Sequence, residues 1–504
     1  MKPSVFRALL ATAVCFGLLS AAAAQDASFF EDDLFGDDLF SDDALFSDDA
    51  LFGGDFSGVE PVSGTGSADS VGSASRGTAA GAVSTFLKTE GVRIGGNWSG
   101  SVSPAWTWTD PWHDGFELDD FDARSLSADV GAKVFFDARP NEDTRFYGSF
   151  KTSWPFGEQA DIGVFELFGD RVWNDRLFFR FGKHTVKWGV GYFWSPADVV
   201  NSTEIDPTNP EAQLEGPVSL RVHMPVPGTQ TNFWAYAIVP PGIEPAELVP
   251  EDIAYAGKLE FLLGNYEIGA GAFWQRDLAP KAMLTATGSL WRFNLFGEFV
   301  AGWGSDKKFV KNVAGALQEM SAGSIPGEKD DNGVYVSATA GFMYMDNKND
   351  FTAAFQYFYN GDGYSDSARK DLIKDSRELV ALLETLPPDT DSGLDSQNAS
   401  YMMRGLVANA GLHYAGVSLS KTGLADDKLS VSVFAMASLS DLSGMVQPSV
   451  SWNFFDGFSA SLNPLFWWSA DALWGAGNDG EYVILSGGPS VSLSFKATLG
   501  SGKF

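Results

Sequence analysis

Val92-Arg93-Ile94-Gly95-Gly96-Asn97-Trp98-Ser99-Gly100-Ser101-Val102-Ser103-Pro104-Ala105-Trp106-Thr107-Trp108 alternates along its length. Val92, Ile94, Gly96, Trp98, Val102, Trp106 and Trp108 fall on even positions, with Arg93, Asn97, Ser99, Ser101 and Ser103 between them. Successive side chains of a strand point to opposite faces, so a period of two describes a strand with one apolar and one polar face. Leu126, Ala128, Val130, Ala132, Val134 and Phe136 repeat the pattern, Phe146, Gly148 and Phe150 begin another copy, and Val218, Leu220, Val222 and Met224 alternate with Ser219, Arg221 and His223.

The connectors alternate as well. Trp108 to Arg124 is a long acidic link, Ala138 to Asp143 is tight, a loop follows Trp154, and Trp173-Asn174-Asp175-Arg176 is a turn again. Further tight turns are expected near Pro227-Gly228, Gly264-Asn265 and Asp346-Asn347-Lys348-Asn349. Long links at one end and short turns at the other are the plan of outer-membrane barrels. Residues beyond 25 contain no run of about 18 to 20 apolar residues, which excludes a helical span and leaves a closed barrel as the way across a membrane. The expected fold is all-β, a transmembrane antiparallel up-and-down β-barrel of about 18 strands (16–18) over residues 83–504. Trp106, Trp108, Trp154, Trp173, Trp274, Trp291 and Trp303 fall at strand ends, where amphipathic rings meet the headgroups of outer-membrane lipid.

Glycine and aromatics crowd one connector: Gly182-Lys183-His184-Thr185-Val186-Lys187-Trp188-Gly189-Val190-Gly191-Tyr192-Phe193-Trp194-Ser195-Pro196-Ala197-Asp198, followed by Pro207, Pro210 and Pro217. Those prolines fix φ and remove donors, so the segment is a shaped loop rather than a strand. This stretch, to about Arg221, resembles the outer-membrane porin-like β-barrels in Gly182, Trp188, Gly189, Trp194, Pro196 and Pro207. The resemblance implies a channel for passive diffusion of small solutes, in which the third external loop (189–216) folds inward and narrows the opening. On that reading Asp198, Glu204, Asp206, Glu211 and Glu215 on the loop face Arg180, Lys183, Lys187 and Arg221 on the flanking strands, with His184 in the polar lining. A transverse field across the opening would then orient solutes. A plainer reading makes Trp188 and Trp194 interfacial anchors and the prolines surface stiffeners.

The N-terminal residues read as three segments. Residues 1–25 fit a secretory signal, with Lys2 and Arg7, an apolar stretch from Ala8 to Leu19, and Ala22-Ala23-Ala24 as the cleavage site. The single cysteine, Cys15, lies within it, so the mature chain would hold no disulfide and no cysteine-ligated metal. Residues 26–56 form an acidic tail repeating Asp-Asp-(Ala)-Leu-Phe, with apolar pairs Leu34-Phe35, Leu39-Phe40, Leu45-Phe46 and Leu51-Phe52. Clustered like charges and isolated aromatics cannot build a core. The pairs are expected to dock on a periplasmic partner or to enter the pore from below, with a solubilising tail or a weak divalent-cation sponge as the alternative. Residues 57–82, rich in Gly, Ser and Ala, read as a linker.

A net charge of −31 argues against nucleic acid as a partner. His113, His184, His223 and His413 form neither H-x-x-x-H nor H-E-x-x-H, and no G-x-S-x-G occurs. No catalytic residue, metal site or cofactor is therefore expected. Two loops carry helical spacing: Phe309, Val310, Val313, Leu317 and Met320 in one, Leu372, Ile373, Leu379, Val380, Leu383 and Leu386 in the other. Alternatives to the channel are a fatty-acid-type carrier of hydrophobic ligands and a non-conducting surface barrel or adhesin. The terminal Phe504 partly resembles the signal read by barrel-assembly machinery, and homo-oligomers are left open.

Overall fold

The computed structural model describes residues 92–503 apart from 110, 112–120, 158, 187, 207–209, 211, 242–247, 311–327, 385–406, 408, 471–479 and 487–488. The strands are β1 (Val92–Thr109), β2 (Ala123–Asn141), β3 (Thr144–Pro155), β4 (Asp161–Trp173), β5 (Leu177–Lys183), β6 (Val218–Val226), β7 (Thr231–Val239), β8 (Ala254–Leu263), β9 (Tyr266–Trp274), β10 (Lys281–Leu290) and β11 (Phe293–Trp303). A two-residue ribbon, β12 (Lys308–Phe309) with β13 (Glu328–Lys329), decorates the next loop. The wall resumes with β14 (Val334–Asp346), β15 (Phe351–Tyr359), β16 (His413–Leu424), β17 (Leu429–Ser438), β18 (Ser443–Phe455), β19 (Phe458–Ser469) and β20 (Ser490–Lys503). Helices α1 (Asp366–Glu384) and α2 (Glu481–Ser486) lie in the last two long connections before β16 and β20.

Eighteen of these strands form one sheet in which neighbours in sequence pair antiparallel. The sheet closes because β20 also pairs with β1, from Asn97↔Lys503 to Thr109↔Ser490, with a register shift at Gly100/Ser101. Closure leaves no strand edge unpaired, the condition for backbone at membrane depth. The expected eighteen-stranded barrel is thus the fold found.

The two faces follow the sequence alternation. Leu126 (73% exposed), Ile162 (75%), Phe181 (65%) and Leu263 (66%) point outward, while Ser149, Ser219 and Arg221 on the other face are buried. An apolar belt of this kind in water would be penalised by about 25 cal/mol per Å²; hydrocarbon removes that penalty. The barrel therefore spans a membrane.

Tight turns gather at one end. Between β4 and β5, Asn174 and Asp175 both have φ near +51°, the left-handed conformation that opens this three-residue hairpin, and Arg176 N–H donates to the Trp173 carbonyl at 3.2 Å. Val92 pairs with Ala138, beside the β2–β3 turn, so β1 enters at this same short-turn end. The links 184–217, 304–333 and 360–412 are at the other end.

The helical spacing that starts at Leu372 becomes part of α1, with Leu372 and Ile373 buried, and Leu386 lies outside the described residues. Val313, Leu317 and Met320 lie outside the described residues, as do the signal, the Leu-Phe repeats, the linker and Phe504.

Candidate functional site

Connection 184–217 does not stand away from the barrel. Val186, Trp188, Ala197 and Val200 are buried against Tyr236, Ile238, Ala254, Ala256, Phe273, Met283 and Val300. Those partners belong to β7–β11, and their neighbours in sequence, Tyr255 (50% exposed), Trp274 (48%), Leu284 (52%) and Phe299 (45%), face outward. By strand alternation the partners face inward, so the loop lies inside the barrel. The sequence pattern anticipated a polar inner face; on these strands it mixes apolar residues that pack on the loop with polar ones, Lys258 and Glu298, that bond it.

Polar wall residues hold the loop's backbone. Glu298 on β11 is buried and its carboxylate accepts the N–H groups of Val190, Gly191 (2.7 Å) and Ala197 (2.9 Å) and the Ser195 hydroxyl (2.8 Å). Gln356 on β15, fully buried, accepts from Tyr192 (3.0 Å) and Phe193 (2.6 Å) through Oε1 and donates to the Trp194 carbonyl (2.6 Å). Lys258 on β8 donates to the Trp188 carbonyl at 2.9 Å. A loop without ladder partners must satisfy its backbone somewhere, and these three side chains do so over residues 188–197.

Two glycines permit the path. A Cβ on Gly189 would fall 1.8 Å from the Ser195 hydroxyl and 2.7 Å from Glu298. Gly182 has φ +133°, and a Cβ there would meet the Leu167 carbonyl oxygen at 2.2 Å. Beyond them Phe193 (0% exposed) packs on Phe434 of β17, and Trp194 stacks on Phe358 of β15. The tip therefore reaches β17, and the return arm is tied to the outgoing one by Asn201, which bonds Val186 on both backbone sides.

Trp188 is 1% exposed, with Nε1 donating to Met283 Sδ at 2.8 Å. Neither it nor Trp194 is a membrane-interface anchor, which corrects the plainer reading. Pro196 is half-buried in the turn at the tip.

The expected charges are distributed unevenly. Arg180 is buried and ion-paired with Asp170 (2.7 Å), its guanidinium 4.0 Å from the Phe168 ring centroid. Arg221, directly opposite Arg180 in register, lies over Trp234. Lys183 pairs with Glu215, so this cation and this carboxylate sit side by side. Glu204 and Asp206 are exposed on the return arm. Lys187, Pro207 and Glu211 lie outside the described residues. Asp198 bonds Asn201 (2.8 Å), and burial, reinforced by the Glu298 charge and opposed by Asn201, pushes its carboxyl up to about 6. His184 is fully buried edge-on to Phe168, and His223 stacks on Trp234 at 3.8 Å. Among the described residues no group of three or more His, Cys, Asp or Glu could hold a metal.

Sequence reading missed Glu298, Gln356, Lys258, Asp137, Arg145 and Asp170. Arg145 bonds Asp137 at 2.9 Å and extends the Arg180–Asp170 pair across the inner face of β2–β5. The signal was present: Phe296-Gly297-Glu298-Phe299-Val300 places one carboxylate within an apolar strand.

At the long-loop end a second polar cluster joins three connections and strand β16. Arg369 of α1 pairs with Asp441 at 2.7 Å, Asp441 accepts the Glu481 N–H at 2.9 Å, and Glu481 accepts from Tyr414 (2.8 Å) and the Gly411 N–H (3.1 Å). Burial, with Asp441 adding to it, raises the Glu481 carboxyl to about 7.

No protein-family model matches the sequence, and no curated protein matches it. Solved structures similar to this chain include OccK11 (OpdR) of Pseudomonas aeruginosa, 9% identical over 82% of this chain and 96% of that one, with a TM-score of 0.42. The outer membrane channel DcaP of Acinetobacter baumannii is 10% identical over 83% and 99%, TM-score 0.38. A porin of Rhodopseudomonas blastica, a triple mutant, is 7% identical over 82% and 100%, TM-score 0.36.

Proposed function

We propose that this protein is an outer-membrane channel through which small solutes diffuse passively, narrowed by the loop 184–217. One observation carries the reading: the loop's backbone is bound to Glu298 and Gln356 on the inward faces of β11 and β15. A loop that lines the wall from β7 to β17, and whose return arm meets Lys133 of β2 and Glu166 of β4 through Gln213, takes space from the lumen and leaves the rest of the polar inner face of β20 and β1–β5 as the other side of the opening. Asn97, Ser99, Lys133 and Lys151 belong to that side. The remaining passage would run between this face and the loop carboxylates.

The rest of the chain fits the same assignment. Residues 1–25 would direct export, the long-loop end would face the exterior, and the tail 26–56 with its linker would hang in the periplasm. Phe504 would be read by the assembly machinery, and the outward belt would meet lipid or a second barrel.

The test is planar-bilayer conductance of refolded residues 26–504, with and without 189–216 replaced by a short Gly/Ser loop. Stable current steps that enlarge in the variant are expected. Absence of steps in both, from protein shown to be folded and inserted, would overturn the channel; steps of unchanged size would overturn the narrowing.

A further inference from the structure

Beyond the loop tip the inner wall changes character. β17, β18 and β19 contain no Asp, Glu, Lys or Arg, and each carries three serines. Val450 and Leu462 are exposed on the outer face, so by alternation Ser449, Ser451, Ser461 and Asn463 face inward. The pairing register gives every serine of these three strands the same inward parity. Within β16–β20 the inward charges are Lys496 and Lys503 of β20. The inner face of β2–β5, by contrast, holds the Asp137–Arg145 and Asp170–Arg180 pairs. Charge is therefore concentrated on one side of the barrel, and hydroxyls on the other.

The hydroxyls stand in rungs. Ser420, Ser432 and Ser449 lie directly across from one another on β16, β17 and β18, and Ser430, Ser451 and Ser461 repeat the row two residues nearer the short-turn end. Ser494 of β20 lies across from Asn463. Neighbouring strands are about 4.8 Å apart and successive inward positions about 6.6 Å, so the serines form a regular grid. Ser432, Ser449, Ser461 and Ser494 are half-buried. Ser420 and Ser430 are buried, and their hydroxyls have no hydrogen-bond partner among the described residues. The loop tip meets this sector at Gly416 and Phe434, and α2 meets it at Ser443 and Trp467, all on the long-loop side of the rungs.

The residue type is informative. Threonine offers the same hydroxyl on the β-branched frame that strands favour, yet β17, β18 and β19 hold none. Serine supplies the hydroxyl with the least bulk and keeps space over the sheet. Each hydroxyl is one donor and two acceptor sites and rotates to suit its partner, so it exchanges hydrogen bonds with another hydroxyl in either sense. A grid of such groups holds a solute that carries several hydroxyls, and offers it an equivalent set one rung further on. Neither partner has a charge to desolvate, so binding is favourable enough to admit the solute and weak enough to release it. A solute without hydroxyls leaves the wall groups unpaired, which disfavours it.

We infer that the serine grid on the inner face of β16–β20 is a path for neutral polyhydroxylated solutes, saccharides and polyols, and that this class is the cargo the channel prefers. The inference rests on the channel reading and names the solute for it. Ser432, Ser449, Ser461 and Ser494 exchange hydrogen bonds with the solute, and the unfilled capacity of Ser420 and Ser430 lies in the same two rows.

The experiment compares swelling rates of proteoliposomes holding refolded residues 26–504 in glucose and in an oligoethylene glycol of equal hydrodynamic radius. Both solutes are neutral, so size and charge are matched and hydroxyl content differs. Glucose should enter several-fold faster. In Ser432→Ala/Ser449→Ala/Ser461→Ala/Ser494→Ala, which removes hydroxyls and adds no bulk, the two rates should converge while ionic current steps in bilayers stay unchanged. Threonine at the same positions keeps the hydroxyls and should keep the preference. Folding of each variant is checked by heat-modifiable electrophoretic mobility, and the comparison of solutes in the parent chain stands without them. Equal rates in the parent, with current steps present, would overturn this inference and leave the channel intact. A preference that survives in the alanine variant would remove it from the serine grid and overturn the path. No steps, and no swelling in either solute, from protein shown to be folded and inserted, would overturn the channel reading and this inference with it.

Discussion

Glu298 on β11 accepts the backbone N–H of Gly191 at 2.7 Å, although the two are 107 residues apart in sequence. The contact joins the wall of the barrel to the tip of a loop that leaves the wall six strands earlier in the circuit. With three further donors on the same carboxylate, it makes Glu298 the main polar anchor of the loop.

Replacing Glu298 by Ala strands those donors, and each buried group left unsatisfied costs about 1–3 kcal/mol. The loop of Glu298→Ala should detach while the strands remain paired. Limited proteolysis ought to cut between 189 and 197 in the variant and not in the parent, with larger current steps. An intact loop and unchanged steps would show that the apolar packing of Trp188 and Val200 suffices.

The glycines separate cleanly. Gly182→Ala should lower the unfolding temperature markedly, because its Cβ would meet backbone at 2.2 Å in a left-handed conformation. Gly228→Ala, also at positive φ but with nothing within 4 Å, should cost only about 1 kcal/mol. Thermal unfolding in detergent compares them; equal losses would contradict the close approach at Gly182.

Asp198 gives the loop a pH dependence. Its carboxyl is raised from 3.8 to about 6, so between those values the folded chain keeps a proton that the unfolded chain releases. Stability from this group is therefore greatest below about 4, falls as pH rises and has fully declined above about 6. Loop protection against protease should decline over that window, and Asp198→Asn should flatten the profile. A decline that persists unchanged in Asp198→Asn would assign it elsewhere.

Arg369 and Asp441 are both buried, and removing one partner leaves the other charge uncompensated, at about 3–5 kcal/mol. Arg369→Ala should release α1 to protease with the barrel still folded by electrophoretic mobility. If α1 stays protected, the apolar contacts of Leu372 and Ile373 hold it alone.

Strand identity, approximate strand number and the ends carrying tight turns were all legible because they depend on local properties: alternation at period two and turn residues between strands. Gly182, Gly189 and Trp194 also stood out, as departures from that alternation. What the alternation could not reveal was which inward positions meet one another. Glu298 and Gln356 look like ordinary polar residues on strands, and Trp188 like any interfacial tryptophan, until closure of the sheet brings β11 and β15 around to the loop.

The sequence by itself determined the barrel, since a closed sheet is how alternating strands satisfy their backbone in hydrocarbon. Only the tertiary structure decided the path of residues 184–217 and the pairing of Arg180 with Asp170 and of Lys183 with Glu215. Those contacts depend on the curvature and register of a closed eighteen-stranded wall, which set distances between residues far apart in the chain and are written in no local stretch of it.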